Sequence, residues 1–211
     1  MTAPRGPSGG GDHGYPVVLD LDGRPCLVVG GGPVAARRVD GLVAAGGRVT
    51  VVALTTVTAI ADNRSVEIEH RPYRRGEVVG YHLVITATGA PDVDRAVVAD
   101  ATAAGVLVNS ADGAAPGTAL LPAVLRDGPV TVAVSTGGAS PALARWLRNR
   151  LASAVPAEVG VMVELLDGAR RSLQAAGRPT ESVDWATLLD EVLPLVEAGR
   201  IEEARARLTG L

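Results

Sequence analysis

From Gly30 to Ala35 the chain reads Gly-Gly-Gly-Pro-Val-Ala, the G-x-G-x-x-A spacing that can hold a dinucleotide pyrophosphate. The first glycine permits a tight turn. The second lets phosphate come up against the backbone, and Ala35 lets the next helix lie close to the strand. Pro33 is tolerated, because at the first helical position its missing N–H had no intrahelical partner. Val34 and Ala35 still offer N–H groups at the positive end of the helix dipole. The loop follows the apolar run Cys26 to Val29 and opens a helical pattern, the context that separates a dinucleotide site from a plain glycine turn. One part of the fingerprint is missing. No Asp or Glu lies between Asp40 and Asp62, so no carboxylate ends the second strand to grip a ribose 2′-hydroxyl. Leu54-Thr55-Thr56 stands there instead, with the Thr55 hydroxyl and backbone groups to serve. Arg48 begins that strand and is poorly placed for a 2′-phosphate, so these residues lean to NAD while leaving NADP open.

Asp112 is the candidate acid or base. It follows the apolar run Val106 to Asn109, at the carboxyl edge of a sheet where α/β folds place ligands. A carboxylate there can accept a proton near neutral pH, and the plain alternative is a turn or cap aspartate. Ser135-Thr-Gly-Gly-Ala-Ser-Pro141 joins a strand to a helix, with Ser140 as cap and Pro141 in the first turn. Its hydroxyl and N–H groups can face an anion. Arg145 and Arg148 share a helix face beyond it and Arg150 points elsewhere; each reads equally well as a solvated surface arginine. Arg37 and Arg38 read as surface residues. His13, His70 and His82 lack metal-ligand spacing, and no metal site is expected.

The elements that must carry these groups follow from punctuation and periodicity. Residues 1–14 are Gly-, Pro- and Ser-rich and are expected to be a disordered tail. Strands are predicted at 17–21, with a turn at Asp22-Gly23, then at 25–29, 49–53, 67–71, 83–87 and 106–109. Helices are predicted at 33–45, closed by Gly46-Gly47, and at 91–104, ending at Gly105. This alternation implies a doubly wound parallel sheet. After Asp112 it stops. Strands at 119–124 and 130–135 flank the hairpin signal Arg126-Asp127-Gly128-Pro129, a helix runs from 141 to 154, and three or four small helices follow, broken at Gly177-Arg178-Pro179 and Gly199.

The bulk composition narrows the function classes. With 47% hydrophobic residues, 2% aromatics and no Phe, the core must be built from Val, Leu and Ala. A net charge of −3 argues against a nucleic-acid binder. All 20 basic residues are Arg, the residue that can hold carboxylates bidentately. Cys26 is the only cysteine and reads as a small core residue, which excludes an internal disulfide. No apolar run approaches the ~20 residues of a membrane span. The N-terminus lacks the apolar core of a signal peptide, so a cytoplasmic location is expected.

Several of these segments together resemble one family. Tyr15-Pro-Val-Val-Leu-Asp-Leu21, the loop GGGPVAARRV, Ile85-Thr-Ala-Thr88, Asn109-Ser-Ala-Asp112, Leu121-Pro122 and Val132-Ala-Val-Ser-Thr-Gly-Gly-Ala-Ser-Pro141 resemble the precorrin-2 dehydrogenase family. Its members oxidise precorrin-2 to sirohydrochlorin with NAD, and bifunctional members also insert ferrous iron. The likeness covers about residues 15–155. The tail length resembles that of stand-alone members, so no methyltransferase domain is expected.

The resemblance implies that Asp112 is the catalytic carboxylate. It places Gly30, Gly31, Gly32, Pro33, Val34, Leu54, Thr55 and Thr88 at the NAD site. Asn109, Ser135, Thr136, Gly137, Ser140 and Arg145 would meet the substrate, whose eight carboxylates suit an arginine-bearing helix. Thr136 stands where some members have serine, and Gly89 where many have Asp. If Fe²⁺ is inserted, Asp112 is the carboxylate nominated to take pyrrole protons or escort the metal. The expected architecture is an α/β, Rossmann-type NAD-binding domain over 15–116. A homodimerising hairpin and helix follow over 117–155, then a helical region over 156–211. The rival reading is a regulatory module of the same fold that senses NAD(H) without catalysis.

Overall fold

The computed structural model describes residues 14–113 and 115–210. The chain divides into two compact units between Leu121 and Pro122. The tail expected over residues 1–14 falls, Gly14 apart, outside the described residues.

In the first unit, β1 (Pro25–Val29), β2 (Arg48–Ala53), β3 (Val66–His70), β4 (Leu83–Thr86) and β5 (Leu107–Ser110) form one sheet. All neighbours are parallel, in the order β3-β2-β1-β4-β5. The helices are α1 (Pro33–Val43), the single turn α2 (Thr58–Ala61) and α3 (Pro91–Ala103). β1 is central, and Cys26 to Val29 are all buried. Cys26 and Val28 pack with Ala35, Val39 and Leu42 of α1, while Leu27 and Val29 pack with Val97, Val98 and Ala101 of α3. Cover on both faces is why these strands read as unbroken apolar runs. Burial also pushes the Cys26 thiol up in pKa. Small, β-branched side chains fill both layers, which brings helix and sheet backbones close together.

Two predicted strands are corrected. Residues 17–21 form no strand: Tyr15, Val17 and Val18 are exposed, and only Leu21 reaches the core. β1 already has partners on both sides, so the arm before the Asp22-Gly23 turn finds no free edge for a hairpin. The strand expected at 119–124 instead begins at Ala123. Residues before it lie along β5, where the Val108 N–H donates to Thr118 Oγ1 (3.0 Å) and Ala119 N–H donates to the Val108 carbonyl (2.9 Å). That segment blunts an otherwise open sheet edge.

The second unit starts with an antiparallel hairpin, β6 (Ala123–Asp127) and β7 (Val130–Val134). It continues through α4 (Pro141–Ala152), α5 (Val159–Ala175), a 3₁₀ turn at Thr180–Ser182, α6 (Trp185–Glu197) and α7 (Ile201–Thr209). Met162, Leu165, Leu188, Val192, Val196 and Leu208 join the last three helices in one core, with Trp185 packed against it. The glycines at 177 and 199, both at positive φ, lie where α5 and α6 stop. Among the described residues no helix is long and apolar enough to cross a membrane.

A polar brace ties the connection between β3 and β4 to α3. Asp100 on α3 accepts from the Tyr73 hydroxyl (2.8 Å) and the Gly76 N–H (2.9 Å), and pairs with Arg75 at 2.6 Å. Burial pushes the Asp100 carboxyl up, but the Gly76, Tyr73 and Arg75 donors more than offset it and hold it below the ordinary aspartate range. The folded state therefore binds this proton less readily than the unfolded chain. The stabilisation is present at neutral pH and is lost as the pH falls from about 4 through the lower folded value. Asp100→Asn is expected to cost about 1–3 kcal/mol at pH 7. The gap from wild type should narrow in urea melts at successively lower pH.

Candidate functional site

The strand order reverses direction between β1 and β4, the point where open α/β sheets hold their ligands. The loops leaving these two strands meet there. Gly30 has φ +124°, and a Cβ on it would overlap the Ala87 carbonyl that follows β4. A Cβ on Gly31 would overlap the Thr55 carbonyl that follows β2. These two glycines are thus required by backbone packing. Gly32 differs: a Cβ there would meet nothing within 4 Å, so the space beside it is open.

Gly32 is also the N-cap of α1, with no side chain capping the helix and Pro33 in its first turn. The first bond of the helix runs from the Ala36 N–H to the Gly32 carbonyl (3.0 Å). The Val34 and Ala35 N–H groups come before it and lack intrahelical acceptors. Open space beside a glycine, in front of free N–H groups at the positive end of an 11-residue helix, fits a dinucleotide pyrophosphate. Leu54 and Thr55 lie past the end of β2, both exposed, with Leu54 at 72%. Arg71 also sits at this end, its N–H on the Ala53 carbonyl (3.1 Å). Its guanidinium is committed to Glu69 and Glu77, each at 2.5 Å.

Past β4, the Thr88 hydroxyl lies 2.8 Å from Asp94 Oδ1 and accepts from the Ala90 N–H (3.0 Å). Past β5, Asp112 is exposed, and its Oδ2 accepts from the Gly89 N–H at 3.2 Å. The fold thus brings the loops bearing Gly30, Thr88 and Asp112 to one edge of the sheet. Asn109 is buried, with Nδ2 donating to the Ala119 carbonyl (2.9 Å) and Oδ1 unpartnered.

In the second unit the hydroxyls of the Ser135–Ser140 turn largely serve the turn itself. Ser140 Oγ caps α4 by accepting from the Leu143 N–H (3.2 Å). Thr136 Oγ1 donates to the Ser140 carbonyl (3.1 Å) and accepts from the Ser140 N–H (3.0 Å). Gly137, at φ +62°, donates its N–H to Ser135 Oγ (3.2 Å). Arg145 is exposed and has no ion pair among the described residues. Arg148 is half-buried, reaching the Val124 carbonyl at 3.4 Å, and Arg150 lies over the Trp146 ring. Arg38, expected at the surface, is half-buried, and burial lowers its pKa.

Sequence reasoning missed Asp94, a carboxylate 1% exposed in the first turn of α3. An acid at a helix start is so ordinary for the dipole that only the Thr-Ala-Thr segment six to eight residues earlier hints at partners. The loop geometry makes a graded prediction. Gly32→Ala should cost no more than about 1 kcal/mol of stability, the N-cap preference for Gly over Ala, yet weaken NAD binding about tenfold or more. Gly31→Ala should also cost about 1–3 kcal/mol through the Thr55 overlap. Calorimetric titration and denaturant melts check both.

Comparison with known proteins agrees with this arrangement. A family model described as putative NAD(P)-binding matches residues 17–123, and one described as sirohaem biosynthesis protein central matches 127–154. A siroheme synthase of Chromobacterium violaceum is 38% identical over 189 residues, covering 87% of this chain and 40% of the relative. One of Thioalkalivibrio sulfidiphilus is 39% identical over 200 residues, covering 92% and 41%. The chain thus spans about two fifths of the length of these curated relatives. Among solved structures, SirC, a precorrin-2 dehydrogenase, superposes with a TM-score of 0.72 at 26% identity, covering 93% of this chain and all of the other. By the first of these matches, which spans half its residues and the whole glycine cradle, the chain belongs to the NAD(P)-binding family found in siroheme biosynthesis proteins.

Proposed function

We propose that the chain oxidises precorrin-2 to sirohydrochlorin with NAD, on the route to siroheme. The observation that carries this reading is the position of Asp112. It is an exposed carboxylate at the carboxyl edge of the sheet, tied through the Gly89 N–H to the loop that also flanks the glycine cradle. The names carried by the siroheme synthases and SirC support the choice of substrate.

The oxidation removes two electrons and two hydrogens from the macrocycle, one leaving as hydride and the other as a proton. Bound NAD supplies the two-electron acceptor. The chain's own part is to hold the reactants and take the proton. Asp112 is the base for that proton, which it passes to solvent through its exposed oxygen. Gly32 and the first-turn N–H groups of α1 hold the pyrophosphate, and Leu54 and Thr55 bound the ribose end. In the second unit Arg145 offers charge to a substrate carboxylate, and the Ser135 and Ser140 hydroxyls, which only accept within the unit, keep a proton to donate.

The second unit is proposed to form a homodimer through its hairpin and α4. Leu143 is 47% exposed and Trp146 55% exposed on α4, an apolar surface that a second copy would cover. A location beside the cytoplasmic NAD pool suits this role.

The test is purified protein with precorrin-2 and NAD under anaerobic conditions. NADH and sirohydrochlorin absorbance should rise together, and iron uptake by sirohydrochlorin is measured in a second arm. Asp112→Ala is expected to keep NAD affinity within about threefold while losing about 10²-fold or more in turnover; unchanged turnover overturns the role given to Asp112, whereas wild-type protein that binds NAD but forms neither NADH nor sirohydrochlorin favours an NAD(H) sensor. Trp146→Glu should shift sedimentation from dimer to monomer.

A further inference from the structure

Among the described residues Asp94 is the one fully buried carboxylate, and no arginine pairs with it there. All of its hydrogen bonding goes to one short segment. Its Oδ1 accepts from the Thr86 hydroxyl, from the Thr88 hydroxyl at 2.8 Å and from the Thr88 N–H at 3.3 Å, while Oδ2 has no partner. A buried carboxylate is costly unless several donors meet it, and three donors on one oxygen do so here. The N-terminus of α3 adds a favourable dipole. The side chain reaches back from the first turn of α3 and fixes the backbone that enters it.

That backbone is shared by both halves of the candidate site. Ala87, between the two threonines, presents the carbonyl against which Gly30 is packed. Gly89, directly after Thr88, gives the N–H that holds Asp112. We propose that Asp94 is a positioning residue. By clamping Thr86 and Thr88 it sets the wall of the dinucleotide cradle and the peptide that orients Asp112. It touches neither cofactor nor substrate, and it acts through Thr88. Only its effect on Asp112 rests on the proposed dehydrogenase reaction; its effect on the cradle can be read without any macrocycle.

The test is NAD titration calorimetry on the full chain, with thermal melts, for wild type, Asp94→Asn, Asp94→Ala, Thr88→Val and the Ala/Val double variant. An amide oxygen can accept the same donors, so Asp94→Asn should bind NAD within about threefold of wild type. Asp94→Ala and Thr88→Val should each weaken NAD about tenfold, and the double variant should be no weaker than the worse single, as expected for residues acting as one unit. A folded Asp94→Ala protein with wild-type NAD affinity overturns the inference, as does Asn as damaging as Ala, or additive losses in the double. If Asp94→Ala does not fold, Thr88→Val decides, and wild-type affinity there overturns it. A chain that meets these expectations but leaves precorrin-2 unoxidised contradicts the proposed reaction and leaves the clamp standing.

Discussion

Where β1 and β4 leave the sheet, their backbones pass so close that Gly30 has room for a hydrogen and nothing larger beside the Ala87 carbonyl. This approach lets the N-terminus of α1 sit over the end of the sheet, and the small side chains Cys26, Val28, Ala35 and Val39 keep helix and strand close on that face of β1. Larger aromatic side chains there would lift α1 away and move its free N–H groups off the crevice. The absence of aromatic side chains from the layer between β1 and α1 and the geometry of the cradle therefore go together.

Much of this was legible in the sequence, for physical reasons that differ by element. β1 and the Pro33 start of α1 were read correctly because a buried parallel strand leaves a continuous apolar run, and a proline at N1 marks its own place. The same logic failed at residues 17–21. Val-Val-Leu there has strand character, but pairing is decided by which edges are free, and β1 has none. The end of the sheet was misplaced for a related reason. Thr118 and Ala119 bond to β5 through a hydroxyl and a single N–H, a pattern with no periodicity to detect.

The candidate site was legible only where it rests on backbone. Glycines announce close approach, and the structure gives a backbone neighbour for Gly30 and for Gly31, while Gly32 faces open space. Side-chain roles were harder to see. The Thr136 hydroxyl reads as a group offered outward, yet it both donates to and accepts from the Ser140 backbone within its own turn. Asp94 went unread although its spacing from Val97, Val98 and Ala101 puts it on the apolar face of α3, away from the exposed Asp92, because an acid in a first turn is explained by the helix dipole alone.

Both tryptophans belong to the second unit, Trp146 on the open face of α4 and Trp185 against the three-helix core. The first unit has only tyrosines, with Tyr73 and Tyr81 packed on the α3 side of its sheet. The two units therefore carry separate optical labels supplied by nature. Tryptophan emission follows loosening of the second unit, while tyrosine signals follow the packing of α3 and the β3–β4 connection on the sheet of the first. Non-coincident transitions in the two signals would report that the chain unfolds in two steps.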